Sequence, residues 1–205
     1  MTNQQQQPIL LVFLKYPEPG KVKTRLAAEV GPEKSASLYR EWIGIVLRNV
    51  QPIRETVRVV GYFDGAAADQ FSEWDGSVDQ WLEQPAGDLG IRLAAGFAWG
   101  HRHGRTVFAI GTDCLDLTGE HITSALELLR GNDVVFGPTT DGGYYLVGTS
   151  RNIPGFFEQV RWSSPHTFAD HLAQTRRLGA RAALLPQLAD IDTAADWQAY
   201  EARGR

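Results

Sequence analysis

The sequence contains a single cysteine, Cys114, among its 205 residues. An internal disulfide is therefore excluded, and the chain suits a reducing compartment. Long apolar runs are also missing. Nothing approaches the roughly 18–20 consecutive residues needed to cross a bilayer. The stretch Ile9–Leu14 is too short for a secretory leader and ends at Lys15. Excess positive charge is absent as well. A formal net charge of -4 and a pI near 5.7 argue against nucleic acid or an anionic membrane as partner. The expectation is a cytoplasmic chain that acts on small molecules. What remains is ordinary for a globular protein, with 43% hydrophobic and 21% charged residues. The length fits one domain, residues 9–205, after a disordered polar tail, residues 1–8, that opens MTNQQQQ.

Apolar runs alternate with helical periodicity along the chain. Strands are expected at 8–14, 56–63, 78–82, 106–111, 133–137, 144–147 and 180–185. Helices are expected at 24–30, from Pro32 to about Val50, 66–73 (weak), 88–100, 118–129, 168–178 and 193–202. In the second helix Tyr39, Trp42, Ile43, Val46 and Val50 share one apolar face. Such alternation implies an α/β fold: a mostly parallel sheet with helices on both faces. These sheets bind ligands beyond the carboxyl ends of their strands. The loops after Leu14, Gly111 and Gly137 should therefore converge.

The loop after the first strand, FLKYPEPGKVKTRL, carries Lys15, Lys21, Lys23 and Arg25 in an acidic chain. Pro17, Pro19 and Gly20 fix a turn, and the cations lead into a helix start, where they oppose the helix dipole. They suit a polyphosphate cradle; a solvated basic turn is the alternative. The Walker A spacing and the dinucleotide fingerprint are both absent. The next buried strand runs directly into Asp113 and Asp116 in TVFAIGTDCLDL. Asp113, at the strand end, suits Mg2+ or Mn2+ facing phosphates; Asp116 suits a turn, and Cys114 a buried filler. In LADIDTAADW, Asp192 is either the second metal ligand beside Asp113 or, with Thr193, the cap of the last helix.

Asp141-Gly142-Gly143 reads as a hairpin turn, or as a place where a ligand approaches the backbone and Asp141 serves as base. Gln84 lies in a loop where it can read a base edge. Asp88 suits the cap of the following helix, and Arg92 a phosphate contact. In VRWSSPHTF, Ser164 suits an N-cap and Pro165 the first helical residue. Trp162 and His166 are candidates for an acceptor pocket. His101 and His103 suit the end of a helix before Gly104.

The five segments K-x-P-x-P-G-x-x-K-T-R-L, Gly-Asp-Leu-Gly, Gly-Thr-Asp-Cys-x-Asp-Leu, Asp-Gly-Gly-Tyr-Tyr-Leu and Asp-Ile-Asp-Thr, in this order, resemble a family of small bacterial proteins. That family belongs to the GT-A nucleotide-diphospho-sugar transferase superfamily, and its members are labelled glycosyltransferases of the arsenosugar-biosynthesis type. The match runs from about Ile9 to Trp197. The layout is also similar to 2-phospho-L-lactate and molybdenum-cofactor guanylyltransferases. The resemblance implies a three-layer Rossmann-like fold and phosphate contacts at Lys15, Gly20, Lys23 and Arg25. It further implies a base-reading loop from Gln84 to Gly90, metal ligands at Asp113 and Asp192, and an acceptor side at Asp141, Gly142 and Gly143. Two positions depart from the family pattern. Leu115 replaces a proline and should loosen its turn, and Asp192-Thr193-Ala194-Ala195-Asp196 lacks the usual capping acid. The expected activity is metal-dependent transfer of a sugar from a nucleotide-sugar to a small acceptor. The alternatives are nucleotidyl transfer from an NTP with release of pyrophosphate, and nucleotide binding without turnover.

Overall fold

The computed structural model describes residues 7–203. Most of the expected disordered tail lies outside them. Gln7 and Pro8 are held, because Gln7 Nε2 donates to the Glu55 carbonyl and Pro8 O accepts from Arg58 N.

Seven strands form one sheet: β1 (Ile9–Lys15), β2 (Arg58–Asp64), β3 (Gln80–Glu83), β4 (Val107–Ile110), β5 (Val134–Pro138), β6 (Tyr144–Thr149) and β7 (Ala182–Leu184). Their order is β3-β2-β1-β4-β6-β5-β7. Only β6 runs against the rest, since it pairs antiparallel with both β4 and β5 while the other pairs are parallel. The helices are α1 (Thr24–Val30), α2 (Pro32–Val50), α3 (Leu89–His103), α4 (Gly119–Leu128), α5 (Thr167–Arg177) and α6 (Ala194–Glu201).

Side-chain alternation along β1 sorts the core into two halves. Leu10, Val12 and Leu14 pack with Leu26 of α1, Trp42 and Val46 of α2, and Ile122 of α4. Ile9 and Leu11 pack with Leu93 and Phe97 of α3, and α5 lies on that side too. The result is the expected three-layer α/β arrangement. Gly31, at φ 88, ends α1 and also begins α2, a conformation few side chains adopt.

The expected weak helix is a 3-10 helix over Ala68–Ser77. Its buried residues, Phe71 and Trp74, are three apart, and in this helix type i and i+3 lie on one face. A second correction concerns α5, which begins at Thr167 rather than Pro165. Ser163 is left-handed at φ 53, and Ser164 closes a separate turn by accepting from His166 N and Thr167 N. Gly104 is extended, at φ -156, and is not a left-handed cap. His103 instead bonds the Trp99 carbonyl at 2.7 Å.

Candidate functional site

Chain order reverses between β1 and β4: β2 and β3 lie to one side, and β6, β5 and β7 to the other. At such a point the loops leaving neighbouring strands diverge and open a crevice. Three compartments of about 490, 480 and 560 Å³ meet there, and Asp113 and Ser163 line all three.

The compartment of about 560 Å³ is cationic. Lys15, Lys21, Lys23 and Arg25 line it, with Asp113 and Asp192 opposite. Gly20 adopts φ 79 with open space where its side chain would be, so it serves the turn. Lys21 pairs with Glu18 at 3.0 Å and is largely exposed. Lys23 differs. Its ammonium donates to Asp113 (3.0 Å), Asp192 (2.8 Å) and the Ile191 carbonyl (2.8 Å). Burial opposes its charge, but the two carboxylates outweigh burial and hold the group above the usual lysine range. Arg25 Nη1 reaches the other Asp192 oxygen at 3.0 Å. Lys23 is thus a carboxylate partner in this structure, with no donor left for phosphate.

The β4 and β7 loops meet through Ile191 N, which donates to the Asp113 carbonyl at 2.9 Å. That bond sets Asp192 beside Asp113 even though the two lie 79 positions apart in the sequence. Leu115 does not loosen its turn, because it is buried and Asn49 Nδ2 holds the Leu115 and Leu117 carbonyls at 3.0 Å each. The capping acid of α6 is not lost either. Asp196 accepts from Asp192 N, Thr193 N and Thr193 Oγ1, while Thr193 Oγ1 accepts from Asp196 N. Thr193 is therefore the cap, and the Asp192 side chain is turned to Lys23 and Arg25. Asp116 is paired with Arg203 at 2.7 Å, and Cys114 is buried filler whose thiol is pushed up to about 12 by burial and nearby acids.

The compartment of about 480 Å³ is acidic. Asp113, Asp141, Asp190 and Asp192 line it, with Arg25. Asp141 Oδ1 accepts from Thr139 Oγ1 (2.6 Å) and Gly143 N (2.9 Å). Carboxylate oxygens of Asp141, Asp190 and Asp192 come within 4.8 Å of one another. Burial, then the charges of Asp141 and Asp113, push the Asp190 carboxyl up to about 6. Protein atoms approach both glycines closely, although Gly143 also lines this compartment. A side chain on Gly142 would lie 2.1 Å from the Pro165 carbonyl, and one on Gly143 would lie 3.0 Å from Thr139 Oγ1. Gly142 admits the Pro165 turn, and Gly143 packs against Thr139 and Asp141 within the hairpin.

The compartment of about 490 Å³ is more apolar, with Phe13, Leu14 and Leu89 among its walls. Gln84 lines it, but its amide is bonded: Nε2 donates to the Tyr62 carbonyl at 2.6 Å, and Oε1 accepts from Arg92 Nη1 at 3.1 Å. Arg92 also pairs with Asp64 and donates to the Gly87 carbonyl. Both residues brace the loop. Asp88 caps α3 by accepting from Ile91 N at 2.9 Å. Gly90 admits the Trp162 ring, since a side chain there would lie 2.2 Å from Trp162 Nε1. Trp162 thus walls a separate cavity of about 470 Å³ between α3 and the loop before α5, and not the acidic compartment.

Sequence reasoning missed three residues. Asp190 had a signal, because acids at i and i+2 of an extended segment point the same way. Tyr39 looked like one more apolar helix position. Its hydroxyl instead bonds Thr112 Oγ1 at 2.9 Å and accepts from Lys15 N at 3.2 Å, tying the floor of both loops. Ser163 carried no signal.

The donor set fits a hard divalent cation, which takes carboxylate oxygens. Lys23 already demonstrates that one cation can sit between Asp113 and Asp192. Among the described residues, no helix is long and apolar enough to cross a membrane.

No curated protein matches the sequence. Among solved structures, a Desulfovibrio desulfuricans G20 protein provisionally described as a nucleotide-diphospho-sugar transferase is 30% identical. The match has a TM-score of 0.82 and covers 92% of this chain and 83% of that one. The 4-diphosphocytidyl-2C-methyl-D-erythritol synthase of Anaerococcus prevotii is 11% identical over 97% of this chain and 98% of its own, with a TM-score of 0.66. Glucosyl-3-phosphoglycerate synthase of Mycobacterium tuberculosis, solved with Mn2+ and UDP, is 13% identical over 97% of this chain and 76% of its own, with a TM-score of 0.58. The last two likenesses are of fold. A family model described as an uncharacterized protein conserved in bacteria matches residues 46–164. With more than half its length matched, the chain belongs to that family, DUF2064.

Proposed function

We propose that the protein is a transferase that moves a sugar from a nucleotide-sugar donor to a small acceptor. The carrying observation is the shared crevice: a cationic and an acidic compartment meet at Asp113, beside a third, more apolar one. The similarity to the Desulfovibrio protein supports the same reading, and the motif set supports grouping it with glycosyltransferases of the arsenosugar-biosynthesis type.

In this account the donor's nucleoside lies in the apolar compartment against Phe13, Leu14 and Leu89. Gln84 and Arg92 hold its wall rather than reading the base directly. The diphosphate lies in the cationic compartment, over Lys15, Lys21 and Arg25. Asp113 and Asp192, with Asp190 beside them, would hold Mg2+ or Mn2+. When bound, the ion supplies positive charge to the diphosphate leaving group. The acceptor enters the acidic compartment. There Asp141, fixed by Thr139 and Gly143, orients its hydroxyl and takes its proton. Lys15, Lys21 and Arg25 stabilise charge as it builds on the leaving group.

Nucleotidyl transfer from an NTP is the second reading, since four cations line one compartment. Its support is weaker than the bare sequence suggests, because Lys23, the most buried of the four, is held by Asp113 and Asp192.

A thermal-shift screen of nucleotides and nucleotide-sugars, with and without Mn2+, tests the binding half of the proposal. A true donor at about 100 times its Kd should add about 2.7 kcal/mol of stability. No shift with any nucleotide would count against it.

A further inference from the structure

Of the four cations in the basic loop, Lys23 is the one withdrawn from solvent. Its side chain is 10% exposed, against 70% for Lys21 and 73% for Arg25. It starts from an unusual backbone, left-handed at φ 43, just before α1. Side chains seldom accept that region, and it recurs where a site requires a particular direction. Here the direction is inward. The Lys23 carbonyl is pinned by Ala27 N and Ser35 Oγ, so the residue is fixed at its base. Its three ammonium protons are all engaged, by Asp113, Asp192 and the Ile191 carbonyl. A phosphate-binding lysine waiting for its ligand would keep a donor exposed.

The two carboxylates that Lys23 joins are the pair assigned to the divalent ion. A lysine ammonium and a divalent cation repel, and the ammonium already holds one oxygen of each carboxylate, Asp113 Oδ2 and Asp192 Oδ1. They cannot share the gap. We propose that the Lys23 ammonium is the resident occupant of the Asp113–Asp192 cation site, that a divalent ion binds there only by displacing it, and that the displaced ammonium then serves the donor phosphates. This rests on the metal reading of Asp113 and Asp192. Metal and donor then assist each other, because each favours the state in which Lys23 has left the carboxylates. Removing Lys23 has opposite effects on the two ligands: the ion alone binds more tightly and phosphate binds less tightly. A lysine that only contacts phosphate would leave metal affinity unchanged.

The test is titration of the full chain with MnCl2 alone, by calorimetry, for the parent, Lys23→Met and Asp113→Asn. Two charge-assisted hydrogen bonds no longer have to be broken in Lys23→Met, so its Mn2+ affinity should rise by about tenfold or more. Asp113→Asn should lose most Mn2+ binding. Equal or weaker Mn2+ binding in Lys23→Met, with loss in Asp113→Asn, overturns the displacement and leaves the metal reading standing. Undiminished Mn2+ binding in Asp113→Asn overturns both. A second measurement needs no variant: acylation of Lys23 in the parent, followed by peptide mass spectrometry, with and without saturating Mg2+. The account expects slow acylation without the ion and several-fold faster acylation with it. Equal rates would overturn the proposal.

Discussion

His171 makes the protein sensitive to acid. Its ring is fully buried among Phe136, Phe156, Phe157 and Trp162, with Phe156 nearest at 4.2 Å. Nδ1 meets the Tyr144 hydroxyl at 3.2 Å, and Nε2 has no hydrogen-bond partner among the described residues. Burial lowers its pKa to about 3, although the Phe156 backbone partly opposes the shift. An unfolded chain takes up this proton below about pH 6.5, whereas the folded chain excludes it until near pH 3. The stability that neutral His171 contributes is complete above that upper value and is lost as pH falls toward the lower one. Between pH 7 and pH 5 the loss is about 2 kcal/mol. Urea melts of the parent and of His171→Leu at both pH values measure it. The variant's own packing cost appears at both and cancels, as do contributions from other titrating groups such as Asp190. The parent should lose about 2 kcal/mol more than the variant between the two conditions. Equal losses would mean that the folded protein accommodates the imidazolium, and would refute the reasoning.

Gly142→Ala should cost about 2–5 kcal/mol in denaturant melts, from overpacking against the Pro165 carbonyl and a left-handed backbone. Gly20→Ala, with φ 79 but open space around it, should cost only the conformational part, about 1–2 kcal/mol. Thr193→Ala removes the cap of α6 and should lower stability by about 1 kcal/mol. It should also weaken Mn2+ binding measured by calorimetry, because the same box holds the Asp192 backbone.

The fold was legible because buried strands and amphipathic helices write their periods directly into the sequence. All seven strands fall where apolar runs predict them, and Leu89, Leu93 and Phe97 mark α3. The site was legible at the level of loops. Lys23, Arg25, Asp113 and Asp192 do meet, because a parallel sheet delivers the ends of its strands to one edge. Their pairing was not legible. Lys23 looked like a phosphate ligand, and only the bond between Ile191 N and the Asp113 carbonyl brings the two acids around it. Gly142 and Gly143 misled for a related reason. A glycine marks close approach without saying what approaches, and here it is the Pro165 turn at Gly142 and the Thr139 and Asp141 side chains at Gly143. Gln84 and Arg92 look free in sequence, but their hydrogen-bond capacity is taken up by a loop that folds back on itself.

The central claim is transfer of a sugar at a crevice organised by Asp113. Its most direct test is product analysis of the parent and Asp113→Asn with Mn2+ and pooled small-molecule acceptors, given mixed nucleotide-sugars in one arm and mixed NTPs in the other. The account predicts nucleoside diphosphate release from a nucleotide-sugar by the parent alone, with no pyrophosphate from NTPs. Pyrophosphate release that depends on Asp113, without nucleoside diphosphate from any sugar donor, would contradict it and favour nucleotidyl transfer.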